Sequence, residues 1–281
     1  MHVNDPVIGS SNLEVFRAQI SSVFDMKDLG NLGYVLSMKV TRNQIKRVIL
    51  LHQELYINSL LGSFGMGACK PVSTPQVPLS KLHPLATSDS EPAKLHYWRA
   101  VGLLNYLLAC TRPDIAYSAS CLSQFLSFPS HDHELAFMHV LRYLKGTSTW
   151  ELWLGRRGDN SSIVAYCNSD WGSNCDSRSF SGSCVFLYGL IGWKTTKKGV
   201  VALSSKEAEY HSISNFCQDL CWFQILVFQL KPICSVTTRE HLLFSKIHSI
   251  NIKLDTSSCA FMGVVNFWKG ALLMSNISPH H

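Results

Sequence analysis

IVAYCNSDW (residues 163–171), SGSCVFLYG (181–189), GWKTTK (192–197), VVALSS (200–205) and KEAEYHSISNFCQDLCWFQIL (206–226) follow one another and decide the fold. The first segment alternates its faces with period two, as a half-buried strand does. SGSCVFLYG reads as a second strand, with GWKTTK and VVALSS as short further strands after glycine turns. Ser204 stands three residues before Glu207, a capping-box spacing that opens a helix. Ile213, Phe216, Cys217 and Leu220 carry that helix at its own period toward Leu230. An antiparallel meander followed by a packed helix is an α/β layout. Period two sets Asn168 and Asp170 on one face of the first strand, and Glu209, in the second turn of the helix, approaches that face.

Upstream, residues 1–70 read as a short strand-like start, a helical piece near Glu14 to Phe24 and the strand-like YVLSMKV at 34–40. Ile49, Gln53, Tyr56, Ile57, Leu60 and Leu61 then recur at helical spacing. The proline-rich run PVSTPQVPLSKLHPLATSDSEP after Lys70 reads as an extended connector. Residues 96–150 are helical, punctuated at Thr111-Arg112-Pro113-Asp114 and Phe128-Pro129, and RRGDNSS (156–162) is a polar loop and domain boundary.

Composition sets limits on partners. The chain has 281 residues, 46% apolar and 16% charged, which excludes a disordered charged tail. Its net charge of +6 permits nucleic acid as a partner without demanding it. Ten cysteines include no C-x-x-C pair; Cys217 and Cys221, four apart on the expected helix, read as buried thiols rather than metal ligands. The N-terminus lacks a basic region followed by an apolar run, and the apolar stretch Cys221 to Leu230 is too short to span a membrane. The expectation is an intracellular, reducing compartment. His131-Asp132-His133-Glu134 looks metal-like but sits at a helix start, where acidic side chains suit the dipole. Core packing is the expected role of Trp150, Trp153, Trp171, Trp193 and Trp222. Arg112-Pro113-Asp114 reads as structural, a bend with a local ion pair.

The order of motifs carries a resemblance. FDMKDLGNLGYVLSMKV (24–40), Cys69-Lys70-Pro71, Ser73-Thr74-Pro75, Asn105-Tyr106-Leu107, Thr111-Arg112-Pro113-Asp114-Ile115, LRYLKGT (141–147), SDWGSNCDSRSFSG (169–182), Gly192-Trp193-Lys194 and SSKEAEY (204–210) stand in that order. Together they resemble the C-terminal part of the Pol polyprotein of copia-type LTR retrotransposons. The chain looks like a transposon-derived or plant-mitochondrial-protein-like fragment of it. The resemblance implies the end of a reverse-transcriptase palm at 1–70 and a connector with a helical connection at 71–155. An incomplete ribonuclease H-like mixed sheet with a packed helix follows at 160–235, then a divergent tail at 236–281. It also implies RNA-directed DNA polymerase and ribonuclease H activities, Mg²⁺ as cofactor, an RNA–DNA hybrid as partner, no membrane, and upstream Pol segments missing from this chain.

Carried over residue by residue, the resemblance shows losses. The polymerase hairpin Tyr-Val-Asp-Asp corresponds to His2-Val3-Asn4-Asp5, so Asn4 stands at the first Asp and Asp5 at the second. The first metal-binding Asp of the ribonuclease H site falls at Asn168, and the helix Glu at Glu209. The next Asp should follow a strand after that helix, yet KPICSVTTREHLLFSK (231–246) holds none. Asp170 lies about 6.5–7 Å beyond Asn168 on its strand, too far to replace a ligand held at about 2.1 Å. No metal site is expected intact, and restoring Asn168→Asp alone is not expected to revive one. Lys194, Lys197 and Lys198, with Arg156 and Arg157, are the candidates for a phosphate backbone. The expected function is a reverse transcriptase/ribonuclease H fragment impaired in both activities. The alternatives are an active two-metal hybrid ribonuclease and a non-catalytic nucleic-acid-binding remnant.

Overall fold

The computed structural model describes residues 13–24, 28–77, 82–84, 96–155, 163–172, 174–228 and 251–254. Asn4 and Asp5, the loop 156–162 with Arg156 and Arg157, and much of the proline-rich connector and the tail lie outside the described residues. The described residues are mixed α/β, with two four-stranded sheets around a helical centre.

Helix α1 (Leu13–Ser21) opens the described chain and buries none of its residues. YVLSMKV is a hairpin rather than one strand: β1 (Tyr34–Val35) turns at Leu36 and Ser37, both at positive φ, into β2 (Met38–Asn43). Two consecutive residues at positive φ make the tight turn that matches strand twist. β3 (Val48–His52) pairs antiparallel with β2, so Ile49 belongs to a strand, and helix α2 (Glu54–Ser63) starts only after Gln53. Helices α3 (Tyr97–Cys110), α4 (Ala116–Ser123) and α5 (His131–Gly146) follow, and then β4 (Leu152–Gly155) returns to pair with β3. The first sheet, in the order β1-β2-β3-β4, thus draws strands from both of the first two sequence zones.

The helices assemble because each carries one apolar stripe. Tyr97, Ala100, Val101, Leu104 and Leu107 on α3, and Phe137, Val140, Leu141 and Leu144 on α5, bury against Ile57, Leu60 and Leu61 of α2. The second sheet has the order β7-β6-β5-β8. Its strands are β5 (Val164–Ser169), β6 (Phe180–Phe186), β7 (Leu190–Lys197) and β8 (Asn251–Leu254). β5, β6 and β7 form the expected antiparallel meander, helix α6 (Ser205–Phe228) follows, and β8 lies parallel to β5. VVALSS forms no strand: Val200, Val201 and Leu203 are exposed, and the segment leads into the cap of α6, where the Glu207 N–H donates to Ser204 Oγ at 3.2 Å.

Several contacts join the second sheet to the helices and to the first sheet. Tyr117 of α4 meets Phe180 of β6 edge-on at 5.0 Å, in a core that also takes Leu152, Cys184 and Leu190. At the β6–β7 turn, the Gly155 N–H donates to the Tyr188 carbonyl, and Gly189 bridges to Leu154. Gly189 has φ +138°, and a Cβ there would lie 2.5 Å from the Trp153 carbonyl oxygen, so this joint admits only glycine. Trp193 adds an indole donor to the Leu108 carbonyl at 2.8 Å. Trp171 and Trp222, by contrast, are more than half exposed, so core packing is not their role.

Arg112 is fully buried at the α3–α4 turn. Its Nε and Nη2 donate to the two carboxylate oxygens of Asp114 at 3.0 and 2.7 Å. Nη1 reaches the Thr147 carbonyl just past the end of α5 at 3.0 Å, and Nη2 the Thr147 hydroxyl. Burial pushes the guanidinium pKa down, but Asp114 and Tyr143 outweigh it and raise it. Removing one partner of such a pair leaves an uncompensated buried charge. Arg112→Met should therefore cost about 3–5 kcal/mol in urea-induced unfolding. The Arg112→Met/Asp114→Leu double variant should lose less than the two single losses combined.

Candidate functional site

The site foreseen around residue 168 lies where the C-terminal end of β5 meets the first turns of α6. Ala165, Cys167 and Val185 on one face of the sheet pack against Phe216 and Leu220. Along the same side of α6, Ser212 is buried and donates from Oγ to the Asn168 carbonyl at 3.2 Å. Glu209, half-buried, is three residues earlier and so on the same side of the helix. Its carboxylate and the Lys198 ammonium both act on the Cys167 thiol. Burial is the main cause that pushes this thiol up to about 11, with Cys217 and Glu209 adding to it and Lys198 opposing it.

Asn168 and Asp170 occupy the other face by alternation of the pleat, the face of Tyr166. What α6 reaches at Asn168 is therefore its main-chain carbonyl. The Asn168 side chain turns onto its own backbone: Oδ1 accepts the Ser169 N–H at 2.7 Å. Asp170 is buried and locked to the start of β6, its Oδ1 accepting the Phe180 N–H at 2.6 Å while its own N–H donates to the Phe180 carbonyl at 3.0 Å. The Ser169 hydroxyl donates to the same carbonyl at 2.9 Å.

The three lysines do not share one face. Lys194 of β7 pairs with Asp219 of α6 at 3.0 Å. Lys197 reaches Asp176 at 2.8 Å and Gln124 beyond the end of α4, on the opposite side of the strand. Lys198 is buried, and burial lowers its ammonium pKa. At the start of α5, His131 pairs with Glu134 at 3.5 Å and His133 is buried in the helix cap. Among the described residues, no three His, Cys, Asp or Glu side chains are grouped to hold a metal ion. No described helix is long and apolar enough to cross a membrane.

Sequence reasoning missed two participants. Ser212 ties α6 to β5, and its spacing of three from Glu209 is the signal that points to it. Residues 231–246, where the resemblance implies the strand after α6, lie outside the described residues; the strand described after α6 is β8 at Asn251–Leu254. Leu254 stands in register beside Cys167, and the next residue in the sequence is Asp255.

Comparison with known proteins adds ancestry. The chain is 35% identical over 240 residues to the retrovirus-related Pol polyprotein from transposon TNT 1-94 of Nicotiana tabacum, covering 82% of this chain and 18% of that polyprotein. It is 36% identical over 230 residues to the Pol polyprotein from transposon RE1 of Arabidopsis thaliana, covering 81% and 15%. An uncharacterized mitochondrial protein of Arabidopsis thaliana is 34% identical over 227 residues, 79% of this chain and 92% of its own length. The chain belongs to the copia-type retrovirus-related Pol family. It spans less than a fifth of these Pol polyproteins and nearly all of the mitochondrial relative. No family model and no solved structure matches it.

Within this Pol fragment, Asp170 holds the β5–β6 connection. Asp170→Ala should lower stability by about 1–3 kcal/mol, the cost of leaving a buried N–H without its acceptor. Asp170→Asn should cost less, because an amide oxygen still accepts from Phe180; thermal melting of the two variants checks the order.

Proposed function

We propose that this chain is the reverse transcriptase/ribonuclease H portion of a copia-type Pol polyprotein, silent in both activities. One observation carries the reading for the ribonuclease half. At the position the family reserves for its first metal-binding Asp stands Asn168, neutral and accepting from the Ser169 N–H. Its acidic neighbour Asp170 is committed to the Phe180 N–H. The Mg²⁺ ions that the family implies are hard cations and require anionic oxygens, several to a site. The residues present do not fit them. Glu209 is a single carboxylate, and Asp255 is the one further acid that sequence order offers after β8.

The topology supports the ribonuclease H assignment. Three antiparallel strands, a helix and a fourth strand laid parallel beside the first agree with the mixed sheet and packed helix that the resemblance implies. For the polymerase half the support is in the sequence, where Asn4 stands at the first hairpin Asp beside Asp5. A grip on an RNA–DNA hybrid would have to draw Lys194 and Lys197 out of ion pairs with Asp219 and Asp176, which weakens it.

The test is cleavage of an RNA–DNA hybrid in Mg²⁺ and in Mn²⁺, beside a Glu209→Ala control. The expected result is no cleavage above that control with either metal. Metal-dependent cleavage by the native chain that Glu209→Ala abolishes would return the active two-metal ribonuclease as the correct reading.

A further inference from the structure

His131-Asp132-His133-Glu134 is the motif that the site above leaves unused. Ser130 caps α5, and His133 stands at the third helical position, where a capping box ordinarily carries Glu or Gln. Here an imidazole does that work. Its Nδ1 accepts the Ser130 N–H at 2.8 Å, and the Ser130 hydroxyl lies at the same distance from the same nitrogen. An accepting Nδ1 means a neutral ring with its proton on Nε2. The ring is buried, stacked on Phe125 at 4.0 Å with 22° between planes, and faces Tyr97 of α3 at 6.2 Å. Nε2 is buried, with the main-chain carbonyl of His83 as the nearby acceptor for its proton.

We infer that protonation of His133 releases the N-terminal cap of α5, making the start of this helix an acid-sensitive joint of the helical core. A carboxylate at this position keeps spare lone pairs throughout the neutral range. An imidazole has one acceptor and surrenders it on taking up a second proton. The proton would also place a charge between Phe125 and Tyr97 and turn an N–H against the Ser130 N–H.

The groups around the ring set the balance. Asp132 on the same helix and the nearby main-chain carbonyl of His83 favour the protonated form, but burial is the largest influence and lowers the ring below the ordinary 6.5. Tyr97 contributes no charge here, since burial raises its hydroxyl far above neutrality; that hydroxyl donates to the Leu122 carbonyl at 3.0 Å. His131 and Glu134 are engaged with each other. The unfolded chain therefore takes up the proton first. The stabilisation is complete above 6.5 and is lost as pH falls below that value toward the lowered native one.

Thermal melts of the full chain at about pH 7.5 and about pH 5 test this, with His133→Gln as the decisive variant. Glutamine accepts from the Ser130 N–H without titrating. The native chain should lose at least about 2 °C more on acidification than His133→Gln. His139, also lowered by burial and in contact with the Thr74 carbonyl at 3.0 Å, calls for a second variant. His139→Gln should retain the part of the acid loss that His133→Gln removes. An NMR titration of the native histidine rings should give His133 an apparent pKa below 6.5 with the proton of the neutral ring on Nε2. Equal acid losses in the native chain and His133→Gln, or a His133 ring titrating at 6.5 or above, overturn the inference. Should His133→Gln fail to fold, the ring titration decides alone.

Discussion

A single buried guanidinium organises this molecule. Arg112 grips Asp114 on its own turn and Thr147 beyond the end of α5, so the α3–α4 corner and the exit of α5 are held as one piece. β4 leaves from that exit, and β4 is what carries the first sheet to Gly189 of the second. Tyr143 and Trp150 present their rings to the guanidinium at 5.8 and 5.9 Å, and so shield the pair from water. A hydrophobic residue would fill the same space, but it would not fix the turn to the helix end with two directional bonds to Thr147.

The same demand for satisfied polar groups accounts for the corner around residue 168. A catalytic carboxylate cluster keeps anionic oxygens uncommitted, at a cost in stability that metal binding offsets. In this chain the polar atoms of the corner are spent internally. Asn168 turns to Ser169, Asp170 to Phe180, Ser212 to the Asn168 carbonyl, and Lys194 and Lys197 to acids of the same chain. These side chains serve structural hydrogen bonding at this corner.

Much of this was legible in sequence where one physical signal spoke alone. The period-two alternation of IVAYCNSDW, the Ser204–Glu207 cap and the Arg112–Asp114 pair all appear in the structure as read. Failures came where signals overlap. Leu36 and Ser37 form a turn without the Asn-Gly dipeptide that announces one, so a hairpin looked like a strand. Ile49 fits the helical period of α2 by coincidence, although its neighbours Val48 and Leu50 mark a strand. Val200 and Val201 have strand chemistry but no partner strand, and the Trp171 indole instead donates to the carbonyl of neighbouring Ala202. Lys194 and Lys197, three apart on a strand, point to opposite sides of β7 by alternation alone, but their partners Asp219 and Asp176 are distant in sequence and so were not legible.

On the proposed function, this corner binds no divalent cation. Titration of the native chain with Mn²⁺, followed by calorimetry or by water-proton relaxation, tests it most directly. The account predicts no saturable binding up to millimolar Mn²⁺, and an identical trace for Glu209→Gln. A saturable Mn²⁺ site in the native chain that disappears in Glu209→Gln would contradict it.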